Sequence, residues 1–471
     1  MTSPFQIVER TSTLPVSTEE AFVWHERPGA FERLTPPWER ITLLERSGGI
    51  RDGARTVLVA RIGPVRFRWV AVHRDYVEGH GFVDEQVEGP LSHWVHEHRF
   101  EPDGSGATRY TDRIEFGPPF GTVGEMAGRW LIRPRAERML AYRHATLRDD
   151  LARHARRREQ PPLRVAVTGA TGLIGSALVP FLTTGGHQVT AVTRRRGLRD
   201  AIHWDPAAGV IDYASLEGMD AVVHLAGENV GVRWSEHRKR RIRDSRVEGT
   251  MFLAEALASL RRPPRVLVSA SAMGIYGNRG DEVLAEDAVP EGLPADFFVE
   301  LGRDWESAAD PALAAGIRVV NPRFGLALTP AGGALGRMLP PFLLGMGGPL
   351  GSGKQWVSWI SIDDAVGVIH HALFTEELAG PVNAAAPEPV TSHDFAATLG
   401  RVLKRPALLP APSLALKLLF GEMADTALLS SQRLSAARLL GSGYTFRHPT
   451  LEVALRHVLG RGETDTAPAL R

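Results

Sequence analysis

A chain of 471 residues exceeds what one hydrophobic core organises, so two or three domains are expected. Its 55 basic residues are balanced by 54 acidic ones, and this near-neutrality argues against a nucleic-acid or membrane-surface partner. The chain has no cysteine, which excludes disulfides, thiolate metal sites and a cysteine nucleophile. Charged residues from Glu9 to Arg27 break any signal-like apolar run, and no stretch approaches the roughly 18 apolar residues of a membrane span. A cytoplasmic protein is expected.

In chain order, Phe5–Leu14 reads as a strand and Ser17-Thr18-Glu19-Glu20 as a helix start. Arg55–Ile62, Val65–His73, Gly81–Glu88, Ser92–Pro102 and Ala107–Phe116 alternate in the manner of antiparallel strands, separated by turns such as Asp103-Gly104-Ser105-Gly106. From Arg129 to Arg158 arginines crowd a segment whose Ala127, Trp130, Leu131, Met139, Leu140, Leu147 and Leu151 keep helical spacing. This predicts one long amphipathic helix with a solvated basic face. The charged, proline-terminated run Arg156–Pro162 marks a domain boundary. The order of strand, short helices, strands and long helix implies a curved antiparallel sheet wrapped on a helix with a cavity between them. It resembles the helix-grip domains of the polyketide cyclase and START-like superfamily, over residues 1–155. The resemblance implies an apolar ligand in that cavity, with Arg61, Arg68, Trp69 and Trp94 as candidate lining. His96 and His98 stand two apart on one strand face, as two metal ligands would. With no third ligand in view they read as polar-face residues, and no metal site is expected.

Beyond the boundary, Leu163–Thr168, His187–Thr193, Ala221–Leu225, Val266–Ser269 and Ile317–Asn321 are short apolar runs separated by helical stretches. This is the texture of buried parallel strands joined by crossover helices, an α/β fold. The first strand runs into Gly169-Ala170-Thr171-Gly172-Leu173-Ile174-Gly175 and then the apolar helix Ser176–Leu182. Gly169 suits the tight turn, Gly172 the close approach of a pyrophosphate, and Gly175 helix–strand packing; the helix-start amides meet the phosphates. No Asp or Glu lies between Gly169 and Arg199 to take a ribose 2′-hydroxyl, whereas Arg194 and Arg195 stand at the end of the second strand. Arginine matches a 2′-phosphate, so NADP is the expected cofactor.

The G-x-x-G-x-x-G spacing resembles that of extended short-chain dehydrogenases. So do His224-Leu225-Ala226-Gly227, Ser245-Arg246-Val247-Glu248-Gly249-Thr250, Ser269–Gly277, Asn321-Pro322-Arg323-Phe324-Gly325 and Trp359-Ile360-Ser361-Ile362-Asp363-Asp364, in the family's order. The resemblance implies an NAD(P)-binding Rossmann fold over residues 163–405, preceded by the α+β helix-grip domain. It places Leu225, Ala226, Gly227 and Arg246 on the cofactor, and Ser271 where a serine would hydrogen-bond a substrate oxygen. The family's Tyr-x-x-x-Lys pair is missing: the lysines are Lys239, Lys354, Lys404 and Lys417, and none follows a tyrosine by four. Spacing from Glu306 puts Phe298 and Gly302 at the pair's positions. This departure, with Trp305-Glu306, Gly231-Val232-Arg233-Trp234, Leu409-Pro410-Ala411-Pro412, Gly421-Glu422-Met423-Ala424 and Gly443-Tyr444-Thr445-Phe446, resembles an epimerase-like branch that ends in a short domain of unknown function. Here that ending is residues 406–460, with the apolar run Leu414–Phe420 expected to pack over a substrate cleft.

Tyr276 is the nearest replacement acid/base. Glu228, Asn229, Arg233, Lys239 and Arg323 are further candidates for the pocket or for an anionic substrate. The expectation is an NADP(H)-dependent oxidoreductase or epimerase acting on a small molecule. The alternatives are a non-catalytic NADP(H) sensor and an apolar-ligand carrier working through the N-terminal domain.

Overall fold

The computed structural model describes every residue except 1–4, 63–64, 105, 119–127, 199, 289–295 and 463–471. It divides into two compact units. One is Met1–Pro162 with Pro180–Gly186 and Leu459–Gly462; the other holds Leu163–Val179 and His187–Val458.

The first unit contains β1 (Gln6–Leu14), α1 (Thr18–Glu26), α2 (Ala30–Leu34), β2 (Arg40–Ser47), β3 (Arg55–Ile62), β4 (Val65–Val77), β5 (Gly81–Glu88), β6 (His93–Asp103), β7 (Ala107–Gly117) and α3 (Arg133–Ala155). Seven antiparallel strands lie in the order β1-β7-β6-β5-β4-β3-β2. Register shifts at Leu43/Glu45, Val70/Ala71 and Arg74/Val77 bend the sheet, as bulges do. Ser17 accepts from the Glu20 amide and caps α1. Strand β2 was not anticipated: it is an edge strand without a clean alternating pattern.

Helix α3 buries Leu140, Leu147 and Leu151, as its spacing predicts, but also Ala136, His144 and Asp150. Asp150 answers Arg33 of α2 in a buried two-pronged pair at 2.5 and 2.9 Å. Trp130 and Leu131 depart from the expected stripe; they precede α3 and are exposed, and Ala127 lies outside the described residues. Phe22, Trp24, Phe82, Phe100, Tyr110 and Leu147 occupy the interior as one apolar cluster. The carrier reading therefore meets side chains where it places a ligand. Arg61 and Arg68 are exposed rather than inward, with Arg68 paired to Glu88, while Trp69 and Trp94 pack edge to face at 5.3 Å.

In the second unit, β8 (Arg164–Thr168), α4 (Gly175–Thr184, of which Pro180–Thr184 counts with the first unit), β9 (Gln188–Thr193), β10 (Ala201–Asp205), β11 (Val210–Ile211), β12 (Ala221–His224), α5 (Glu236–Ala258), β13 (Val266–Ser269), β14 (Ser271–Ala272), α6 (Phe297–Ser307), β15 (Arg318–Phe324), α7 (Ile362–Phe374), β16 (Gly380–Ala384) and α8 (Ser413–Phe420) follow in order. The sheet runs β11-β10-β9-β8-β12-β13-β15-β14, with β16 beside β15, and only β11 pairs antiparallel. Strand order reverses between β8 and β12, where a doubly wound sheet opens its ligand crevice. Ser361 caps α7. The Asp364 carboxylate then accepts from Ser361 Oγ, Tyr444 Oη and the amides of Arg447 and His448, at 2.7–2.9 Å. Two motifs separated by 80 residues are thereby clasped together. Helix α8 buries only Leu416, whereas Leu414, Leu418 and Leu419 are 66–69% exposed, contrary to the expectation that this run packs over a cleft.

Candidate functional site

At the mouth of β8 the loop Gly169–Gly175 turns with Gly169 at a φ of +66°. A Cβ there would stand 2.7 Å from the Leu225 carbonyl, and one on Gly175 would stand 2.2 Å from the Gly169 oxygen. Only glycine fits either position. Thr171 and Gly172 are exposed, Leu173 and Ile174 half-buried, and the Gly172 amide bonds back to the Gly169 carbonyl at 2.9 Å. The result is a bare backbone cradle opening into the first turn of α4, which fits a pyrophosphate. Thr168, not anticipated from sequence, organises it: its Oγ1 accepts from the Leu225 and Ala226 amides at 3.0 and 3.1 Å and stands 2.7 Å from His224 Nδ1.

Arg194 and Arg195 follow β9 and are exposed, with neither guanidinium in an ion pair among the described residues. Arg246 behaves differently. Its guanidinium donates to the Glu228 carbonyl at 3.0 Å, lies 5.0 Å from the Trp305 ring centre and backs directly onto Gly227. Burial lowers its pKa to about 10. It shapes the 225–228 turn from behind.

The expected catalytic residues converge on a closed polar network. Ser271 Oγ donates to Glu306 at 2.6 Å, and Arg323 grips both oxygens of Glu306 at 2.7 Å. Arg323 also donates to Tyr276 Oη at 2.8 Å, and that hydroxyl donates to Asn383 at 2.7 Å. Tyr276 is fully buried, and desolvation pushes its pKa up to about 12. It is therefore a strut for Arg323 and unsuited to the acid/base role considered for it. Ser271 is 2% exposed, and its proton is committed to Glu306.

The anion-binding candidates are engaged as well: Arg323 holds Glu306, Lys239 pairs with Glu422, and Arg233 donates to the Leu418 carbonyl. Glu228 pairs with Arg238 and Arg241, and Asn229 accepts from the Gly231 amide. Phe298 packs edge to face with Trp234 at 4.8 Å, and a Cβ on Gly302 would stand 2.7 Å from Ile275 Cβ. A lysine at position 302 has no room.

Set against known proteins, residues 165–295 match the NAD dependent epimerase/dehydratase family, residues 14–141 the polyketide cyclase/dehydrase and lipid transport family, and residues 411–458 a domain of unknown function. The epimerase family protein Mb2239 of Mycobacterium bovis is 42% identical over 299 residues, covering 63% of this chain and 98% of the relative. The chain belongs to the epimerase family. The human member SDR39U1 is 38% identical over 300 residues, covering 63% of this chain and all of its own. Likeness extends to the N-terminal unit as well. A nucleoside-diphosphate sugar epimerase from Corynebacterium glutamicum is 33% identical, with a TM-score of 0.78, over 96% of this chain and 90% of its own. A crystal structure of human SDR39U1 with NADPH is 38% identical, with a TM-score of 0.57, over 63% of this chain and 99% of its own. The fold is thus that of the extended short-chain dehydrogenases with a polyketide-cyclase-like domain ahead of it. Among the described residues no helix is long and apolar enough to cross a membrane.

Proposed function

We propose that this chain binds NADP(H) at the β8–α4 loop and acts as an oxidoreductase or epimerase on a small molecule. Gly169, Thr171, Gly172, Leu173, Ile174 and Gly175 hold the pyrophosphate, Leu225, Ala226 and Gly227 line the adenine side with Arg246 bracing them, and Arg194 and Arg195 take the 2′-phosphate. The observation that carries the reading is the pair of exposed, carboxylate-free arginines beyond a cradle that only glycine can form. The NADPH-bound human relative supports it. When bound, the nicotinamide supplies hydride transfer. The protein orients it, and Ser271, its proton held by Glu306, is the hydroxyl that would hydrogen-bond a substrate oxygen.

Titration of the purified chain with NADPH and NADH tests the cofactor assignment. NADPH is expected to bind at least tenfold more tightly, and Arg194→Ala with Arg195→Ala should erase that preference while leaving NADH unchanged. Equal affinity for the two nucleotides would remove the assignment. A second reading, an NADP(H)-binding protein without turnover, is favoured by the burial of Ser271 and Tyr276. Incubating the NADPH-bound chain with a panel of carbonyl substrates, and the NADP+-bound chain with a panel of nucleotide sugars, separates the two: oxidation of the NADPH or epimerisation of a sugar supports the enzyme, and unchanged nucleotide and sugar in both support the sensor.

A further inference from the structure

The first unit holds a buried cluster that the nucleotide-binding reading leaves unused. Asp84 of β5 pairs directly across from His96 of β6, and His98 of β6 directly across from Asp112 of β7, so all four side chains share one face of the sheet. The sequence offered the two histidines without a third ligand. The β5–β6 register provides it.

Asp84 Oδ2 stands 3.4 Å from His96 Nδ1 and 3.2 Å from His98 Nε2. A tetrahedral ion with bonds of about 2.0–2.1 Å separates its ligand atoms by about 3.3–3.4 Å. The far nitrogens of both rings face a single carboxylate: Asp112 Oδ1 lies 2.6 Å from His98 Nδ1 and 3.3 Å from His96 Nε2. A carboxylate behind each ligating imidazole is the arrangement that fixes ring tautomer and orientation at metal centres. Asp112 is itself held by the Tyr110 hydroxyl at 2.7 Å, with Arg143 and His144 of α3 at 3.6 and 3.4 Å from its other oxygen. His96 is 4% exposed, and its Nε2 meets Asp112 at 3.3 Å without making a hydrogen bond, which leaves its Nδ1 turned toward Asp84 and the centre of the cluster. Asp84 and Asp112 supply two negative charges to offset a dication beside the Arg143 guanidinium, with both imidazoles neutral.

We propose that Asp84, His96 and His98 bind a divalent transition-metal ion of the zinc class, with Asp112 orienting both imidazoles. Oxygen and nitrogen donors in a chain without cysteine suit zinc, and cobalt can replace it as a reporter. Asp84 is 22% exposed at its side chain and opens the centre to solvent on that side, where a water can complete the coordination.

The full chain, stripped with a chelator, is titrated with Zn²⁺ by calorimetry and with Co²⁺ by visible absorption. One equivalent of Zn²⁺ and an intense tetrahedral Co²⁺ spectrum are expected. Asp84→Asn should weaken binding at least a hundredfold, and Asp112→Asn about ten- to a hundredfold at unchanged stoichiometry. Asp363, His448 and His457 form another group of close donors, so His457→Gln must leave the binding intact. Circular dichroism of each metal-free variant checks folding. Should Asp84→Asn fail to fold, the wild-type Co²⁺ spectrum decides: a weak octahedral spectrum overturns the proposal. Absence of binding, or binding lost in His457→Gln and kept in Asp84→Asn, overturns it equally.

Discussion

Two residues decide how the nucleotide cradle behaves under stress. Gly169 adopts a left-handed conformation hard against the Leu225 carbonyl. Gly169→Ala should therefore cost about 1–3 kcal/mol in chemical denaturation and abolish NADPH binding in a fluorescence titration. His224 lies beside Thr168, and burial, then the charge of Arg246, lower its pKa from 6.5 to about 4. Between those values the unfolded chain takes up a proton that the folded chain refuses. Stability contributed by the neutral ring is thus present above pH 6.5 and lost as pH falls toward 4, by on the order of 3 kcal/mol in full. Denaturation midpoints of the nucleotide-binding unit at pH 7 and pH 5 check this, and His224→Asn should reduce the difference. Buried Arg323 pairs with half-buried Glu306 at 2.7 Å. Glu306→Gln should cost about 3–5 kcal/mol by stranding the guanidinium, whereas Ser271→Ala, which leaves the pair intact, should cost about 1 kcal/mol.

Elements were legible where a local pattern carried them. The strands of the first unit alternate, and the β8-loop-α4 junction has a glycine for each geometric demand. Strand β2 escaped because an edge strand with a bulge at Leu43/Glu45 has little alternation to read. The polar network escaped for another reason. Ser271, Glu306, Arg323 and Asn383 lie on four separate elements: the sheet's register aligns Ser271, Arg323 and Asn383, and the packing of α6 adds Glu306. The exposed side of α8 was misread because apolar spacing signals a helix without naming what covers it. Helix α6 yields the clearest element-scale prediction. Gly302 lets it press onto Ile275, so Phe298→Tyr with Gly302→Lys, which would rebuild the usual pair, should lower the melting temperature and add no turnover. A gain of substrate turnover in that double variant would remove this account of position 302.

At the scale of the molecule, the two units have separate cores and should report separately in calorimetry. NADPH at a hundred times its dissociation constant should stabilise the nucleotide-binding unit by about 2.7 kcal/mol and leave the other transition in place. A common shift of both transitions would contradict that separation.

The Asp364 clasp also imposes an order in time. The sheet and helix between Gln6 and Ala155 are contiguous, so they can close while synthesis continues. The start of α7 cannot: its carboxylate waits for Tyr444, Arg447 and His448, which are made 80 or more residues later. A nascent chain stalled before Tyr444 should carry a protease-resistant sheet and helix between Gln6 and Ala155 and a second unit still open to cleavage, so a truncated product is marked by its own unfinished fold.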